Sequence, residues 1–231
     1  MTEDRDSILR ALRAARERRG PAAAAPPAAA DRAAVTASSF TGDPAQLAAA
    51  FARAARQAGA RVFGPCDPSE AAVQVVRLLR EHGARELLCW DAPDLLPTGF
   101  TAELAAAGFR TLDHHLPADA PEREAGLRQA AEASAGVTGA LAAFADSGAL
   151  LLASGPSRPR LAWQLPDIHV CLLPIAAIRP RLADAGEELR RLVRRSAQVA
   201  LVAGPARSTD VEQQATPAAL GPVVLDVLLL A

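Results

Sequence analysis

Apolar and polar positions alternate along the chain in a pattern that predicts short buried strands separated by amphipathic helices. Apolar runs stand at "ARVFG", "ELLCW", "FRTLD", "DIHVCLLP" and "QVALVAG". Helical patterns follow Asp43 and Asp67, each of which precedes a Pro and leads to a Gly at the far end. Asp caps a helix, Pro suits its first turn and Gly its last, so both boundaries are well marked. The alternation predicts an α/β fold with a mainly parallel sheet flanked by helices.

The second half of the chain continues this pattern. The nearly unbroken apolar run Val223–Ala231 predicts a strand buried on both faces, inside the sheet. A helix is expected from about Ile178 to Arg195. The polar cluster after Gly204 is expected to begin another helix, whose free N–H groups would face a ligand.

The first 34 residues differ from the rest in pattern. Asp4–Arg19 places apolar residues on one side and arginines around the remainder, as an amphipathic helix does. Gly20–Ala30 is rich in Pro and Ala and is typical of a linker. We therefore predict an N-terminal helix and linker over residues 1–34 and one α/β domain over residues 35–231. The helix either stays solvated or docks on a partner or a second subunit.

Composition narrows the function class. A formal net charge of -1 and a pI near 6.4 provide no general attraction to nucleic acid or to anionic membranes. No apolar run approaches the roughly 20 residues of a membrane helix, and the acidic start lacks a signal core, so we expect a cytoplasmic bacterial protein without a membrane span. Every basic residue is Arg, which excludes a P-loop Lys or a Schiff-base Lys.

Cysteine and histidine positions argue against a metal centre. Cys66, Cys89 and Cys171 are far apart and form no C-x-x-C pair, so we interpret them as small buried apolar residues. His169 lies in a strand-like run and is more typical of a hydrogen-bonded core residue than of a ligand. His114 and His115 are adjacent, and their side chains would point to opposite faces of an extended segment. We expect this chain to bind no cofactor.

Two corners that follow apolar runs have similar sequences, "ASGPSRPR" and "VAGPARSTD". Ligands of α/β sheets bind beyond the carboxyl ends of the strands, where Arg158 and Arg207 are expected. A guanidinium there can hold a carboxylate or phosphate with two hydrogen bonds. The alternative is structural: Arg207 pairs with Asp210 or Glu212 and caps a helix.

A third corner contains Asp146 between small residues. Its carboxylate could act as a nucleophile or base, although Asp and Gly also form ordinary turns. We take Asp146 as the candidate catalytic residue. The candidate anion-binding residues are Thr138, Gly139, Gly148, Gly155, Arg158, Gly204, Arg207, Ser208, Thr209, Asp210 and Glu212.

The segment "VTGALAAFADSGALLLASGPSRPRLAWQLPDIHVCLLP", followed by "ALVAGPARSTDVE" and "LGPVVLDVLLL", resembles the LUD domain family, in particular its lactate utilisation protein C type. The resemblance spans roughly Gly136 to the C-terminus. It implies an α/β fold similar to the sugar-phosphate isomerase and CoA-transferase superfold. It also implies a part in oxidising L-lactate to pyruvate, beside partner subunits whose iron-sulfur clusters carry the electrons.

The resemblance also indicates where this chain departs from the family. A Thr-Gly pattern with a following Glu corresponds to Thr138, Gly139 and Asp146, so Asp replaces Glu. A Gly-Pro-Ser pattern corresponds to Gly204 and the two residues after it, with Ala in place of Ser. Leu220 stands where the family has His. If that His acts as an acid or base in the family, this chain lacks the group, which favours a slower, altered or non-catalytic role.

Three functions therefore stay open. The first is a cluster-free accessory component of an iron-sulfur complex that oxidises L-lactate, with a small-anion site at the strand ends. The second is a stand-alone enzyme that acts on a phosphorylated or CoA-linked substrate, by analogy of fold. The third is a binding module with a degenerate site that acts through its N-terminal helix.

Overall fold

A computed structural model describes residues 42–113, 116, 119–209, 215–217 and 221–231. The predicted N-terminal helix and linker, His114, His115, Asp210, Glu212 and Leu220 lie outside these ranges, and the boundary near residue 35 stays a prediction. The helices are α1 (Pro44–Gln57), α2 (Ala71–Glu81), α3 (Phe100–Ala106), α4 (Ala120–Ala130), α5 (Leu161–Gln164) and α6 (Gly186–Arg195). Short 3-10 helices cover Pro68–Glu70, Ile175–Ala177 and Leu182–Ala185.

The strands are β1 (Arg61–Cys66), β2 (Glu86–Cys89), β3 (Arg110–Thr111), β4 (Ala135–Gly139), β5 (Ala142–Phe144), β6 (Ala149–Ala153), β7 (Ile168–Pro174), β8 (Ile178–Arg179), β9 (Val199–Val202), β10 (Arg207–Thr209), β11 (Ala215–Pro217) and β12 (Val224–Leu230). They build a six-stranded sheet in the order β1-β12-β7-β4-β2-β3, a four-stranded sheet in the order β8-β5-β6-β9, and the two-stranded pair β10-β11.

Every pairing in the six-stranded sheet is parallel, which confirms the predicted α/β class. Strand β12 lies between β1 and β7, as its apolar run indicates, and its residues from Leu225 onward are buried. The helix starts are also confirmed. Asp43 accepts a hydrogen bond from the backbone N–H of Ala45 at 3.2 Å, and Asp67 accepts one from Ser69 at 2.8 Å.

The four-stranded sheet forms a second layer between two apolar clusters. Ala143, Leu150 and Leu152 pack into the main core, and the intervening residues of the same strands point the other way. Leu189 and Leu192 of α6 cover that second face. The sequence between β4 and β7 is thus an insertion that leaves the main sheet, forms a hairpin and returns to it.

One expected helix begins later than predicted, and another expected helix is wrong. The segment beginning at Ile178 starts as the short strand β8, and helix α6 begins only at Gly186. Pro180 explains the delay, because it lacks a backbone N–H and biases the preceding residue toward extended conformations. After Gly204 the chain forms strand β10, which pairs antiparallel with β11, instead of a helix. No helix within the described ranges is long and apolar enough to cross a membrane.

Candidate functional site

The loop after β6 is held in place from two sides. The hydroxyl of Ser154 donates to the carbonyl of Gln198 at 3.2 Å and accepts from its N–H at 2.8 Å, which ties the loop to the start of β9. On the other side, the indole N–H of Trp90 donates to the carbonyl of Pro159 at 3.2 Å. Because Trp90 directly follows β2, the loop lies beside the carboxyl end of a main-sheet strand. The corner predicted around Gly155 is therefore a fixed piece of backbone.

The corner itself is a tight turn closed by two backbone hydrogen bonds. The N–H of Gly155 donates to the carbonyl of Arg158 at 3.1 Å, and the N–H of Arg158 donates back at 3.0 Å. The Arg158 guanidinium folds over Gly155, where an added Cβ would stand 3.3 Å from its Nε atom. The absence of a side chain at Gly155 thus lets the guanidinium lie close to the turn.

A cavity of about 350 Å³ opens at this corner, between the loop and the end of α6. Its walls include Ser154, Gly155, Arg158, Arg160, Arg195 and Ala197. We call it the arginine cavity. The pairing of β6 with β9 brings Arg195 beside a loop that lies more than thirty residues earlier in the chain.

The charge of the arginine cavity is positive. Arg158 lies 3.7 Å from the carboxylate of Asp94, a long ion pair with an exposed partner. Arg160 and Arg195 are exposed and form no ion pair with any residue in the described part of the chain. Three guanidinium groups therefore face one carboxylate. An anion that enters can form charge-assisted hydrogen bonds without displacing an existing partner of Arg160 or Arg195.

Thr138 and His169 form a buried pair on the main sheet, away from solvent. In the parallel pairing of β4 with β7, Gly136 is aligned with His169 and Thr138 with Cys171. The side chains of Thr138 and His169 therefore lie on the same face of the sheet. The Thr138 hydroxyl lies 2.8 Å from Nε2 of His169, and both residues are fully buried. The expectation of a hydrogen-bonded core histidine is confirmed. The Thr138 hydroxyl already has this partner. Its role as an anion ligand stays a prediction.

Burial controls the ionisation of His169. Desolvation lowers the pKa of its imidazole to about 4, and the charge of Asp226 opposes this shift without reversing it. The imidazole is therefore neutral at physiological pH. Its Nδ1 atom has no hydrogen-bond partner among the described residues.

The His169 imidazole should make the stability of the protein depend on pH. The unfolded chain binds a proton on this group near its usual pKa of about 6.5, whereas the folded chain does not until about pH 4. Below pH 6.5 the free energy of unfolding should therefore fall, by about 1.4 kcal/mol per pH unit at the steepest. Urea unfolding of wild type and His169→Gln between pH 7.5 and 4.5 measures this. Identical pH dependence of the two proteins would rule the effect out.

Asp146 lies at the exposed tip of the β5-β6 hairpin. Both carboxylate oxygens are 3.2 Å from the backbone N of Leu182, and the Asp146 N–H donates to the carbonyl of Pro180 at 3.2 Å. These bonds fix the hairpin to the 3-10 helix Leu182–Ala185. A catalytic role for Asp146 stays a prediction, and the contacts that the structure gives this carboxylate are those of a helix cap.

The other predicted glycines contact neighbouring backbone. Gly148 has φ +66°, and a Cβ there would meet Ala55 of α1 at 2.3 Å. Gly204, at φ +115°, approaches Ala58 in the same way. Gly139 lies against Leu95 of the loop after β2. At these three positions the absence of a side chain allows close packing against neighbouring backbone. Their contribution to anion binding stays a prediction.

The second predicted arginine has different surroundings from the first. The Arg207 guanidinium lies beside Gly59, just beyond the C-terminal end of α1, where a cation suits the helix dipole. The backbones of Ser208 and Thr209 continue strand β10. The structure thus groups Gly148, Gly204 and Arg207 around α1, and it places Gly155 and Arg158 in the arginine cavity.

The cysteine thiols are not activated. Burial raises the pKa of Cys89 and of Cys171 to about 12, and both are free and buried as predicted. Cys66 is only half-buried, and desolvation together with Glu70 and Asp67 raises the pKa of its thiol. Among the residues with described positions, no group of three His, Cys, Asp or Glu is arranged to hold a metal ion.

Sequence reasoning missed Arg160 and Arg195 as site residues. Arg160 lies within the quoted corner, and only its position on the cavity wall distinguishes it from other exposed arginines. Arg195 ends a helix, and the pairing of β6 with β9 had to be known before it could be placed. A second missed cluster joins Arg61, His82 and the fully buried Asp226 at the amino end of the main sheet. A carboxylate in the apolar run "VVLDVLLL" was the available signal.

Relatives of the chain share one name. A protein from Halalkalibacterium halodurans called Lactate utilization protein C is 27% identical over 150 residues, which cover 63% of this chain and 63% of that protein. A second protein of that name, from Exiguobacterium sp., is 30% identical over 116 residues, which cover 48% of this chain and 50% of the relative. The chain thus spans half to less than two thirds of the length of these curated relatives.

A solved structure supports the fold. The crystal structure of a DUF162 family protein from Deinococcus radiodurans matches with a TM-score of 0.56 at 17% identity, over 82% of this chain and 99% of that one. The family model described as the LUD domain matches residues 48–230, most of the chain. The resemblance noted in the sequence is confirmed, and the chain belongs to the LUD domain family.

Proposed function

We propose that this chain takes part in L-lactate utilisation as an accessory component without its own iron-sulfur cluster, and that its arginine cavity binds a small anion. Its relatives named Lactate utilization protein C support the lactate part of the proposal. The absence of any C-x-x-C pair in the sequence supports a division of labour in which partner subunits carry the clusters.

One observation carries the anion part of the proposal: Arg158, Arg160 and Arg195 line a single concave space, and among the described residues Asp94 alone forms an ion pair with any of them. Guanidinium groups bind carboxylate and phosphate through paired hydrogen bonds. The loop is anchored at Ser154 and Pro159, so two of the three arginines stand on fixed backbone. Such preorganisation lowers the entropy lost on binding.

Removing two of these arginines should weaken anion binding. We expect Arg158→Ala combined with Arg160→Ala to lower the affinity for inorganic phosphate by at least about tenfold, because charge-assisted bonds to the anion are lost. Isothermal titration of the full chain at low ionic strength measures this. The matched control is Arg123→Ala, an exposed arginine on α4, which should bind like wild type. Equal affinities in all three proteins would contradict the proposed site.

The partner part of the proposal has a separate test. A tagged chain recovered from its native cell after growth on L-lactate should carry cysteine-rich partner subunits and iron in stoichiometric amounts. The purified chain alone should be colourless and should not oxidise lactate. Robust lactate oxidation by the isolated chain, or a solitary iron-free chain in the eluate, would overturn the accessory role and favour a stand-alone enzyme.

A further inference from the structure

A second cavity of about 410 Å³ lies next to the arginine cavity along the chain, and its walls are mainly apolar. Leu161, Trp163 and Leu165 form one wall, and Ala200 and Val202 of β9 form the other. Leu165 is 37% exposed, which leaves apolar surface in contact with water at the cavity mouth. We call this the tryptophan cavity.

The two cavities lie between the same two segments of the chain. Residues 154–160 and residues 195–197 line the arginine cavity, and the directly following residues 161–165 and 200–202 line the tryptophan cavity. Arg160 and Leu161 are consecutive, so the basic wall continues into the apolar wall without an intervening element. The two cavities are therefore neighbours along the chain, and we call the first the cationic end and the second the apolar end of this surface.

Trp163 forms a firmly held part of the apolar end. The residue is only 4% exposed, and its indole nitrogen is buried without a hydrogen-bond partner among the described residues. The ring itself is held by an edge-to-face contact with Trp90, with centroids 5.6 Å apart.

The charge of the cationic end selects the head group. Three guanidinium groups and the carboxylate of Asp94 leave an excess of two positive charges. A phosphate monoester, which carries close to two negative charges at neutral pH, balances that excess, whereas a monocarboxylate such as lactate leaves it half neutralised. The single methyl group of lactate is also too small to fill the second cavity of about 410 Å³.

We propose that the groove formed by the arginine and tryptophan cavities binds an organic phosphate, with the phosphate at Arg158, Arg160 and Arg195 and an apolar group between Trp163, Leu165 and Val202. This inference rests on the proposed anion site and names its ligand class.

A series of phosphates that differ only in their apolar part tests the inference. The full chain is titrated calorimetrically with inorganic phosphate, ethyl phosphate and n-hexyl phosphate. Each buried methylene strengthens binding by about fourfold, so partial burial of the longer chain should make n-hexyl phosphate bind at least about tenfold more tightly than ethyl phosphate. Leu165→Ser should reduce that gain to below about threefold. Val193→Ser, an apolar residue of α6 that is 65% exposed and lines neither cavity, is the matched control and should keep the full gain.

The outcomes separate the two proposals. If the three phosphates bind equally and binding is lost in the Arg158→Ala, Arg160→Ala protein, the organic-phosphate inference is overturned and the anion site stands. If wild type binds none of them, the anion site fails and the inference fails with it. A hexyl gain that survives Leu165→Ser would also overturn the inference, because the alkyl chain would then lie elsewhere.

Discussion

Replacing Arg61 with Ala is expected to lower the free energy of unfolding by about 3 kcal/mol, because it removes the main partner of a buried carboxylate. Asp226 is fully buried in β12, and Arg61 of β1 donates to both of its oxygens at 2.7 Å. His82 contacts the same carboxylate at 2.9 Å and cannot replace two guanidinium bonds. The paired carboxylate raises the pKa of the Arg61 guanidinium above its usual range, so this guanidinium stays charged at every accessible pH.

Thermal unfolding measures this loss, which corresponds to a decrease in Tm of roughly 6–12 °C for a domain of this size. The matched control is Arg110→Ala, whose 3.4 Å pairs with Glu86 and Glu132 lie at the surface and should contribute less than about 1 kcal/mol. A double variant with Arg61→Met and Asp226→Leu should recover most of the stability, since it leaves no buried carboxylate without its partner, and apolar side chains can replace buried charges. Unchanged Tm in Arg61→Ala would show that Asp226 does not depend on this partner.

Adding one methyl group at Gly136 is expected to destabilise the fold by about 3 kcal/mol or more. Gly136 lies in β4, directly under α5, and a Cβ at this position would stand 1.6 Å from the carbonyl oxygen of Ala162. Backbone atoms cannot turn away as a flexible side chain can, so α5 must move off the sheet. Because α5 carries Trp163, the same change should also weaken binding in the groove.

Urea unfolding of Gly136→Ala gives the size of the effect, and its matched control is Gly186→Ala. A Cβ at Gly186 meets nothing within 4 Å, so the control should be neutral or slightly stabilising. If Gly136→Ala were as stable as the control, the close approach of α5 to the sheet would be wrong. The tight packing of α5, which carries Trp163, against β4 would then also be wrong.

The parts of the fold that follow from local pattern were predictable from the sequence. Helix starts at Asp43 and Asp67 and the buried strand at the C-terminus each depend on a few consecutive residues, and the structure has all three. The predicted helix start at Ile178 was wrong because the apolar periodicity of the segment is helical although Pro180 disfavours a helix there. The helix predicted after Gly204 was wrong because the pairing of this segment with β11 decides its conformation, and such pairing is not a local property of the sequence.

Only those residues of the candidate site that lie together in one short stretch of sequence were predictable. Gly155 and Arg158 stand out in the sequence because Gly, Pro and Arg together form a recognisable corner. Arg195 and Trp163 join them through strand pairing and helix packing, which no short stretch of sequence encodes. The repeat of the corner at Arg207 was misleading as a guide to geometry, since the two arginines have different neighbours.

Growth on L-lactate tests most directly whether the arginine cavity serves lactate utilisation. The chromosomal gene in the native cell is replaced by the Arg158→Ala, Arg160→Ala version or by Arg123→Ala, and protein levels are checked in each strain. We expect the double variant to grow normally on pyruvate and to lose growth on L-lactate, while the Arg123→Ala strain grows on both. Normal growth on L-lactate with the double variant present at wild-type levels would contradict the proposed function.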